Sequence, residues 1–274
     1  MFSKKALWSL VAAASLSLAA CGGGNSGSSS APAPASSAGG GDAPAKEYVV
    51  ATDATYAPFE FEDGGQVVGF SREVLEAVGE KEGIRFKFVN TPWEGIFATL
   101  GKDDADIVSS SVTITEERKQ SMDFTDPYFE ATQMIAVTEQ NADTIKSYAD
   151  LKERRVSVQN GTTGDLAMQK LQGNDSKEIK RFETMPLALK ELLSGGVDAS
   201  VGDNGVVENF ANNNPDAKLI TFVDPEFEKE FYGFAVKKDR GDDLLPKLNS
   251  GIAAIKADGT YEKIYSKWFS GSKQ

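Results

Sequence analysis

The sequence predicts an α/β fold with parallel strand pairing for the region after residue 45. Three observations support this prediction: short apolar or alternating segments typical of strands, segments with apolar residues at helical spacing, and a regular alternation of the two. Strands that alternate with helices are typical of parallel sheets covered by helices. The pattern occurs in two successive blocks, and the length is compatible with one large domain or with two smaller lobes.

The first block begins with an apolar strand at residues 48–51 and a glycine-rich turn at Gly64 and Gly65. A helix is predicted next, with Ser71 as its N-cap and Gly83 as the residue that ends it. The apolar positions of this helix are Val74, Leu75 and Val78. They are followed by an alternating strand with Ile84, Phe86 and Phe88, and by a helical stripe of Trp93, Ile96, Phe97 and Leu100.

The second block repeats the alternation of strand and helix. Strands are predicted at residues 155–158, 179–182, 197–201 and 231–236, and helices at residues 165–171, 186–193 and 203–212. Two helices then close the chain. The first carries Leu244, Leu245, Leu248, Ile252 and Ile255, and the second carries Tyr261, Ile264, Tyr265 and Trp268.

The N-terminal segment, residues 1–21, is predicted to be an export signal rather than part of the fold. Lys4 and Lys5 precede an apolar stretch, residues 6–18, that is too short to span a bilayer. The sequence Leu-Ala-Ala-Cys at residues 18–21 resembles the bacterial lipobox, which implies that Cys21, the only cysteine, carries a lipid. Residues 22–45 are glycine, serine, alanine and proline with almost no large apolar residue, and are predicted to be a flexible tether.

The composition excludes several classes of function. Without Lys4 and Lys5, 27 basic residues stand against 41 acidic ones, a net charge of −14, which disfavours nucleic-acid binding. The chain has no histidine, so it has neither a serine–histidine–aspartate triad nor a histidine-ligated metal site. No metal or cofactor is expected, and no second apolar run is long enough to cross a membrane.

Nine short motifs occur in the order typical of one family. They are ATDATYAPF (51–59), GF (69–70), WEGI (93–96), SSSVTITEER (109–118), DFTDPY (123–128), QNGTTG (159–164), VGD (201–203), DGTY (258–261) and KWF (267–269). Together they resemble the family-3 solute-binding proteins, the polar amino-acid-binding proteins of bacterial ABC importers. The residue after Gly69-Phe70 is usually acidic in that family, whereas Ser71 stands here.

The resemblance implies a type II periplasmic-binding-protein fold, with two lobes that close around a ligand. Lobe I would comprise residues 46–127 and 233–274, and lobe II residues 133–227. Residues 128–132 and 228–232 would be the hinges. It also implies export to the periplasm or cell exterior, attachment to a membrane through the lipid on Cys21, delivery of the ligand to the permease and ATPase subunits of an importer, and a monomeric state.

Two charged residues are candidates to bind the ends of an amino-acid zwitterion. A guanidinium can bind a carboxylate with two parallel hydrogen bonds, which suits Arg118, although pairing with Glu116 or Glu117 is the alternative. Asp203 follows a predicted strand and opens a predicted helix, so it could cap the helix, contact the ligand or do both. The resemblance places Arg118 on the α-carboxylate and Asp203 on the α-ammonium.

The remaining candidates match family positions. Ser110, Ser111, Thr113, Thr162 and Thr163 would complete the shell around the charged ends, and Tyr56 and Trp93 would flank the side-chain stem. Asp53 would face the far end of the ligand, with Glu60 as a second candidate. Gln159 stands where glutamine binders carry a lysine.

The charges of the candidates favour a basic ligand. Arg118, Asp203 and Asp53 sum to −1, which a ligand with one positive charge would balance. Glutamine stays open as an alternative, because its amide could accept from Gln159 and donate to Asp53. A dehydratase-like enzyme on the same fold is a further alternative, although no residue demands catalysis, and a sensory or adhesive module is another.

Overall fold

Two five-stranded sheets organise residues 45–269, which are the residues that the computed structural model describes. The predicted export signal, Cys21 and all of the predicted tether except Ala45 lie outside the described residues. Within residues 45–269, no helix has the length and apolar character needed to cross a membrane.

The first sheet belongs to lobe I. Its strands, in spatial order, are β5 (Arg85–Asn90), β1 (Glu47–Thr52), β6 (Ile107–Val108), β15 (Ala235–Lys237) and β7 (Met122–Phe124). The helices that belong with it are α1 (Phe70–Glu82), α2 (Ala98–Gly101), α6 (Leu244–Ala257) and α7 (Thr260–Phe269). Helix α1 packs against both α6 and α7, and the largest apolar cluster of the described residues extends from these helices into lobe II.

The second sheet belongs to lobe II. Its strands, in spatial order, are β11 (Ile179–Phe182), β10 (Val156–Gln159), β12 (Ala199–Asp203), β9 (Gln133–Val137) and β13 (Ile220–Phe222). Its helices are α3 (Thr163–Gln172), α4 (Met185–Leu193) and α5 (Asn204–Asn213).

Two short antiparallel strands connect the lobes. Strand β8 (Phe129–Ala131) carries the chain from the first sheet to the second, and β14 (Glu230–Tyr232) carries it back. The predicted hinges, residues 128–132 and 228–232, contain these strands, and their motion stays a prediction. A separate three-stranded sheet consists of β2 (Thr55–Tyr56), β3 (Glu60–Asp63) and β4 (Gln66–Val68).

The prediction of parallel pairing is right for part of each sheet. Strand β1 runs parallel to β5 and β6, and β10 runs parallel to β11 and β12. Strands β15, β7, β9 and β13 pair antiparallel instead. Strands β9 and β15 each enter their sheet directly from a connecting strand, without the helical crossover that makes neighbours parallel. The strand predicted at 231–236 is two strands, because β14 lies between the lobes and β15 lies in lobe I.

The prediction that Ser71 caps α1 is wrong. Gly69 is the N-cap, with a φ of 131°, and a Cβ at this position would lie 2.1 Å from the carbonyl oxygen of Phe59. Only glycine fits so close an approach. Ser71 lies inside the first turn, fully buried, with its Oγ 3.0 Å from Tyr128 Oη. The helix ends at Gly83 as predicted, in the left-handed conformation.

The helical stripe predicted from Trp93 to Leu100 forms only in its second half. Helix α2 begins at Ala98, and turns occupy the residues before it. Gly95 has a φ of 85°, which interrupts a right-handed helix. Trp93 is therefore held on a turn at the edge of the cleft rather than on a helix.

Candidate ligand-binding site

A cavity lies where the carboxyl ends of parallel strands from both lobes face each other. Asp53 follows β1, Ser110 follows β6, Gln159 ends β10 and Asp203 ends β12. Ligands of α/β proteins commonly bind at such strand ends. The space between the cavity walls, including the part open to solvent, is about 320 Å³.

All eleven residues predicted for the site line this cavity. They are Asp53, Tyr56, Trp93, Ser110, Ser111, Thr113, Arg118, Gln159, Thr162, Thr163 and Asp203. Motifs that are up to 150 positions apart in the sequence thus meet at one place. Their roles toward a ligand stay predictions.

The cleft is closed in this structure, because hydrogen bonds cross it. Trp93 Nε1 of lobe I donates to the carbonyl oxygen of Asn160 in lobe II at 3.1 Å. Arg118 Nη2 of lobe I donates to the carbonyl oxygen of Gly161 in lobe II at 3.4 Å. The lobes therefore touch through side chains of the cavity wall itself.

Arg118 is fixed by the backbone and by aromatic rings. Its Nη1 donates to the carbonyl oxygen of Thr113 at 2.9 Å, and its guanidinium carbon lies 5.5 Å and 5.3 Å from the ring centroids of Trp93 and Phe97. Burial lowers the pKa of Arg118, but a guanidinium stays charged in proteins. The cation is thus held in place while part of its donor set remains available.

The alternative reading of Arg118, an ion pair with a neighbouring glutamate, does not fit the structure. Among the described residues, Glu116 pairs with Lys119, with Nζ to Oε1 at 2.7 Å. Glu116 and Glu117 are exposed, whereas Arg118 points into the cavity.

Asp203 occupies the N-cap position of α5, but its side chain does not cap the helix. Its carboxylate accepts from Gln133 Nε2 at 2.6 Å and from the hydroxyl of Tyr232. Burial raises the pKa of Asp203, and the hydrogen bonds from Tyr232 and Gln133 and the charge of Arg118 oppose this rise. Of its two predicted roles, the structure favours the one that faces the cavity.

Asp53 and Gln159 form the opposite end of the cavity. Thr55 Oγ1 donates to Asp53 Oδ1 at 2.8 Å. Gln159 Nε2 is directed to Asp53 Oδ2 at 3.5 Å and to the carbonyl oxygen of Glu183 at 3.1 Å. Gln159 Oε1 is buried and has no hydrogen-bond partner among residues 45–269. Burial raises the pKa of Asp53, with the hydrogen bonds from Thr55 and Gln159 acting against it.

Glu230, on β14, is a charged neighbour of the site that the sequence did not predict. Its Oε2 accepts from Thr113 Oγ1 and from Thr163 Oγ1, each at 2.8 Å, and its Oε1 accepts from Gln133 Nε2 at 3.0 Å. Burial and the charge of Asp203 raise its pKa. One signal in the sequence could have identified Glu230. Side chains alternate in direction along a strand, so Glu230 lies on the same side of the strand as Tyr232.

Glu60, the second candidate for the far end, does not line the cavity. It is 1% exposed, and neither oxygen forms a hydrogen bond of ordinary geometry within the described residues. The hydroxyls of Ser111 and Ser71 lie close enough to lower its pKa, but burial is the larger effect and raises the pKa well above its usual value.

The raised pKa of Glu60 makes stability depend on pH. Because the folded protein binds this proton more tightly than the unfolded protein does, the free energy of unfolding falls as pH rises from about 4.3, the unfolded pKa, toward the folded value. Glu60→Gln removes this dependence. In guanidinium unfolding we expect the variant to resemble the wild type near pH 4.5 and to exceed it in stability at pH 8.

The matched control for this experiment is Glu62→Gln, which changes an exposed glutamate on the same strand. Its unfolding free energy should follow that of the wild type at every pH. Parallel pH curves for the wild type and Glu60→Gln would show that Glu60 ionises in the folded protein as it does in the unfolded one.

The fold and the cavity together define a class of protein. Two α/β lobes, joined by two strands, enclose a polar cavity whose wall carries one arginine and two aspartates. Such an arrangement is that of a two-lobed protein that encloses a small polar solute in its cleft.

Comparisons with known proteins identify the family. Residues 48–271 match the bacterial extracellular solute-binding proteins, family 3. A "Probable histidine-binding protein" of Neisseria gonorrhoeae is 45% identical over 231 residues, 83% of this chain and 84% of that one. An "ABC transporter arginine-binding protein 1" of Escherichia coli K12 is 34% identical over 234 residues, 84% of this chain and 93% of that one.

A solved structure agrees with both relatives. The arginine-, lysine-, histidine-binding protein ArtJ from Geobacillus stearothermophilus is 42% identical, with a TM-score of 0.78 over 84% of this chain and 97% of that one. The chain therefore belongs to family 3 of the bacterial extracellular solute-binding proteins, and the predicted fold is confirmed.

Proposed function

We propose that this protein captures a basic L-amino acid and delivers it to the permease of an ABC importer. The names of the three similar proteins reported above support the class of ligand, since they refer to histidine, arginine and lysine, and they are names of binding proteins rather than of enzymes. The observation that carries the proposal is the far end of the cavity, where hydrogen-bond acceptors are open and donors are already engaged.

The α-carboxylate of the ligand is assigned to Arg118 and to the start of α3. Thr162 is the N-cap of this ten-residue helix, and Thr163 begins it. The N–H groups of a first helical turn have no acceptor within the helix, and the helix dipole favours an anion there. Arg118 adds the charge-assisted hydrogen bonds of a guanidinium.

The α-ammonium is assigned to Asp203. The carboxylate is 5% exposed, is held by Gln133 and Tyr232, and lies in the same cavity as Arg118. The hydroxyl of Thr113 donates a hydrogen bond to Glu230 Oε2, so the lone pairs of the Thr113 oxygen are free to accept from the ammonium. Both ends of a zwitterion thus have partners of opposite charge.

The ligand side chain is assigned to the space between Tyr56 and Trp93 and to Asp53 with Gln159 beyond it. Two contacts of Gln159 support a basic ligand over glutamine, the alternative that the sequence left open. Gln159 Nε2 is already directed to Asp53 and to the Glu183 carbonyl oxygen, so it is not free to donate to an amide oxygen. Asp53 and Gln159 Oε1 instead offer acceptors, which suit a guanidinium or an ammonium.

Delivery to an importer depends on the rest of the chain. We propose that residues 128–132 and 228–232 act as hinges between lobe I and lobe II, and that the free energy of ligand binding favours the closed state. We further propose that residues 1–21 are removed on export, that Cys21 carries the lipid that attaches a monomeric body to the membrane, and that the protein faces the periplasm or the cell exterior.

The test is isothermal titration with the twenty L-amino acids, after unfolding and refolding to remove any amino acid carried through purification. We expect one-to-one binding, tightest for arginine, lysine or histidine. Tightest binding of glutamine would keep the class of protein and reject the specificity. Turnover of a cyclic carboxylic acid without binding of any amino acid would instead favour the dehydratase-like alternative.

A further inference from the structure

Glu230 stands out among the groups that the proposed function does not use. It lies on β14, one of the two strands that connect the lobes, and it does not line the cavity. Nevertheless its carboxylate binds two side chains that do line it, Thr113 and Thr163. A residue of the connecting strands is thus bonded directly to the walls of the cleft.

The two threonines come from different lobes. Thr113 follows β6 in lobe I, and Thr163 opens α3 in lobe II. Both hydroxyls donate to the same atom, Glu230 Oε2, at 2.8 Å. When the lobes separate, one atom cannot stay within hydrogen-bond distance of both hydroxyls. This pair of bonds therefore belongs to the closed state.

The second carboxylate oxygen ties the same residue to the ammonium end of the site. Gln133 Nε2 donates to Glu230 Oε1 at 3.0 Å and to Asp203 Oδ1 at 2.6 Å. One amide group thus spans both carboxylates and fixes Asp203 relative to the connecting strand.

We propose that Glu230 is a positioning residue that couples lobe closure to recognition of the α-ammonium group. It holds Thr113 and Thr163 together only when the cleft is closed, and it orients the hydroxyl of Thr113 so that its lone pairs remain for the ligand, whereas Thr163 Oγ1 accepts from Gln133 Nε2 at 3.1 Å. The proposal rests on the proposed function of the cleft as an amino-acid site. It concerns the part that all L-amino acids share, so it does not depend on which side chain is preferred.

Replacement of the carboxylate by an amide cannot preserve this network. In Glu230→Gln the amide oxygen can still accept from Gln133 Nε2, but the amide nitrogen then replaces Oε2 and donates to the two threonine hydroxyls. Both hydroxyls lose their charged acceptor, and Thr113 directs its O–H rather than a lone pair toward the ligand ammonium. Glu230→Asp keeps the charge but withdraws it from the hydroxyls by one methylene group.

The experiment compares dissociation kinetics of L-arginine from the purified wild type, Glu230→Gln, Glu230→Asp and the control Glu226→Gln, using tryptophan fluorescence in a stopped-flow instrument. Glu226 is an exposed acid four residues away, outside the proposed hinge. We expect L-arginine to dissociate from both Glu230 variants about 30-fold faster or more, with association rates within about threefold of the wild type, because most changes in affinity appear in dissociation. Glu226→Gln should match the wild type.

A double-mutant cycle supplies a readout that a merely structural role would not change. Thr163→Val should accelerate dissociation in the wild type and have a smaller further effect in Glu230→Gln, because the charge-assisted bond to the carboxylate is already lost. Full additivity would overturn the proposal, as would dissociation from Glu230→Asp at the wild-type rate. Should Glu230→Gln fail to fold, Glu230→Asp with Thr163→Val gives the same cycle.

The result is separable from the identity of the ligand. If the wild type binds L-glutamine and not L-arginine, the proposed specificity fails, and the rate ratios of the Glu230 variants to the wild type are measured with L-glutamine alone. If the wild type binds both amino acids, ratios that agree for the two support the role of Glu230, and ratios confined to one overturn it.

Discussion

Arg118→Ala is expected to weaken binding of every L-amino acid by roughly 30- to 4,000-fold. Removal of one partner of a buried, hydrogen-bonded charge pair costs about 2–5 kcal/mol, and each 1.4 kcal/mol is a factor of ten in affinity. In this variant the α-carboxylate of the ligand would keep only its contacts with the N-terminus of α3. The loss should be the same for basic and neutral amino acids, because both carry this carboxylate. Isothermal titration measures the loss.

The fold should survive this substitution, and a matched control can show it. The guanidinium of Arg118 bonds only to backbone carbonyl oxygens, of Thr113 and Gly161, within the described residues. Arg72→Ala removes an arginine of lobe I that binds the Val67 carbonyl oxygen and Glu76 outside the cavity. Both variants should unfold cooperatively, and Arg72→Ala should bind as the wild type does. Near-native affinity in Arg118→Ala would refute its assignment to the carboxylate.

Arg118→Lys separates charge from geometry. Lysine keeps a positive charge but cannot form the two parallel hydrogen bonds of a guanidinium. We expect an affinity between those of the wild type and Arg118→Ala. If the lysine and alanine variants have the same affinity, the carboxylate requires the paired hydrogen bonds of the planar guanidinium rather than a positive charge alone.

Much of the fold and of the candidate site could be predicted from the sequence because the informative residues are local. Asp53, Gln159 and Asp203 each stand at the end of an apolar strand, and strand ends meet at one edge of a sheet. The helices α3, α4, α5 and α6 follow from apolar spacing, but the caps Thr162 and Thr184, whose side chains accept N–H bonds at the starts of α3 and α4, were not predicted.

The features that were missed depend on partners distant in sequence. Glu230 lies in the run Glu-Phe-Glu-Lys-Glu, residues 226–230, which resembles a solvated loop. Only pairing of β14 with β8 turns this carboxylate toward Thr113 and Thr163. Likewise, serine is a residue type that often caps helices, which led to the prediction for Ser71. The start of α1 is set instead by the close approach of Gly69 to the Phe59 carbonyl oxygen. No local pattern encodes such approaches.

In the proposed mechanism, closure of the cleft links partners that are distant in sequence to specificity. Gln159 Nε2 is directed to Asp53 of the other lobe and to the Glu183 carbonyl oxygen of its own lobe. If the lobes open as proposed, the contact with Asp53 forms only on closure, and the acceptor-rich end belongs to the closed state. We therefore expect selection among amino acids and lobe closure to be parts of one equilibrium.

Asp53→Asn is expected to change the preference of the site rather than remove binding. The variant loses the carboxylate that faces a guanidinium or ammonium, and charge-assisted hydrogen bonds of this kind are worth about 1.5–3 kcal/mol, or roughly 10- to 150-fold in affinity. L-arginine should weaken by that factor. L-glutamine should weaken little or gain, because the introduced amide presents a donor or releases Gln159 to present one.

The ratio of the two dissociation constants, measured by isothermal titration, is the decisive quantity. Glu94→Gln is the matched control, because Glu94 is an exposed acid in the open pocket that also includes Asp53 and Trp93. Its charge is screened by solvent, so its removal should change neither constant by more than about threefold. If Asp53→Asn weakens arginine and glutamine equally, Asp53 supports the cavity wall without selecting charge, and the preference for a basic ligand must arise elsewhere in the cleft.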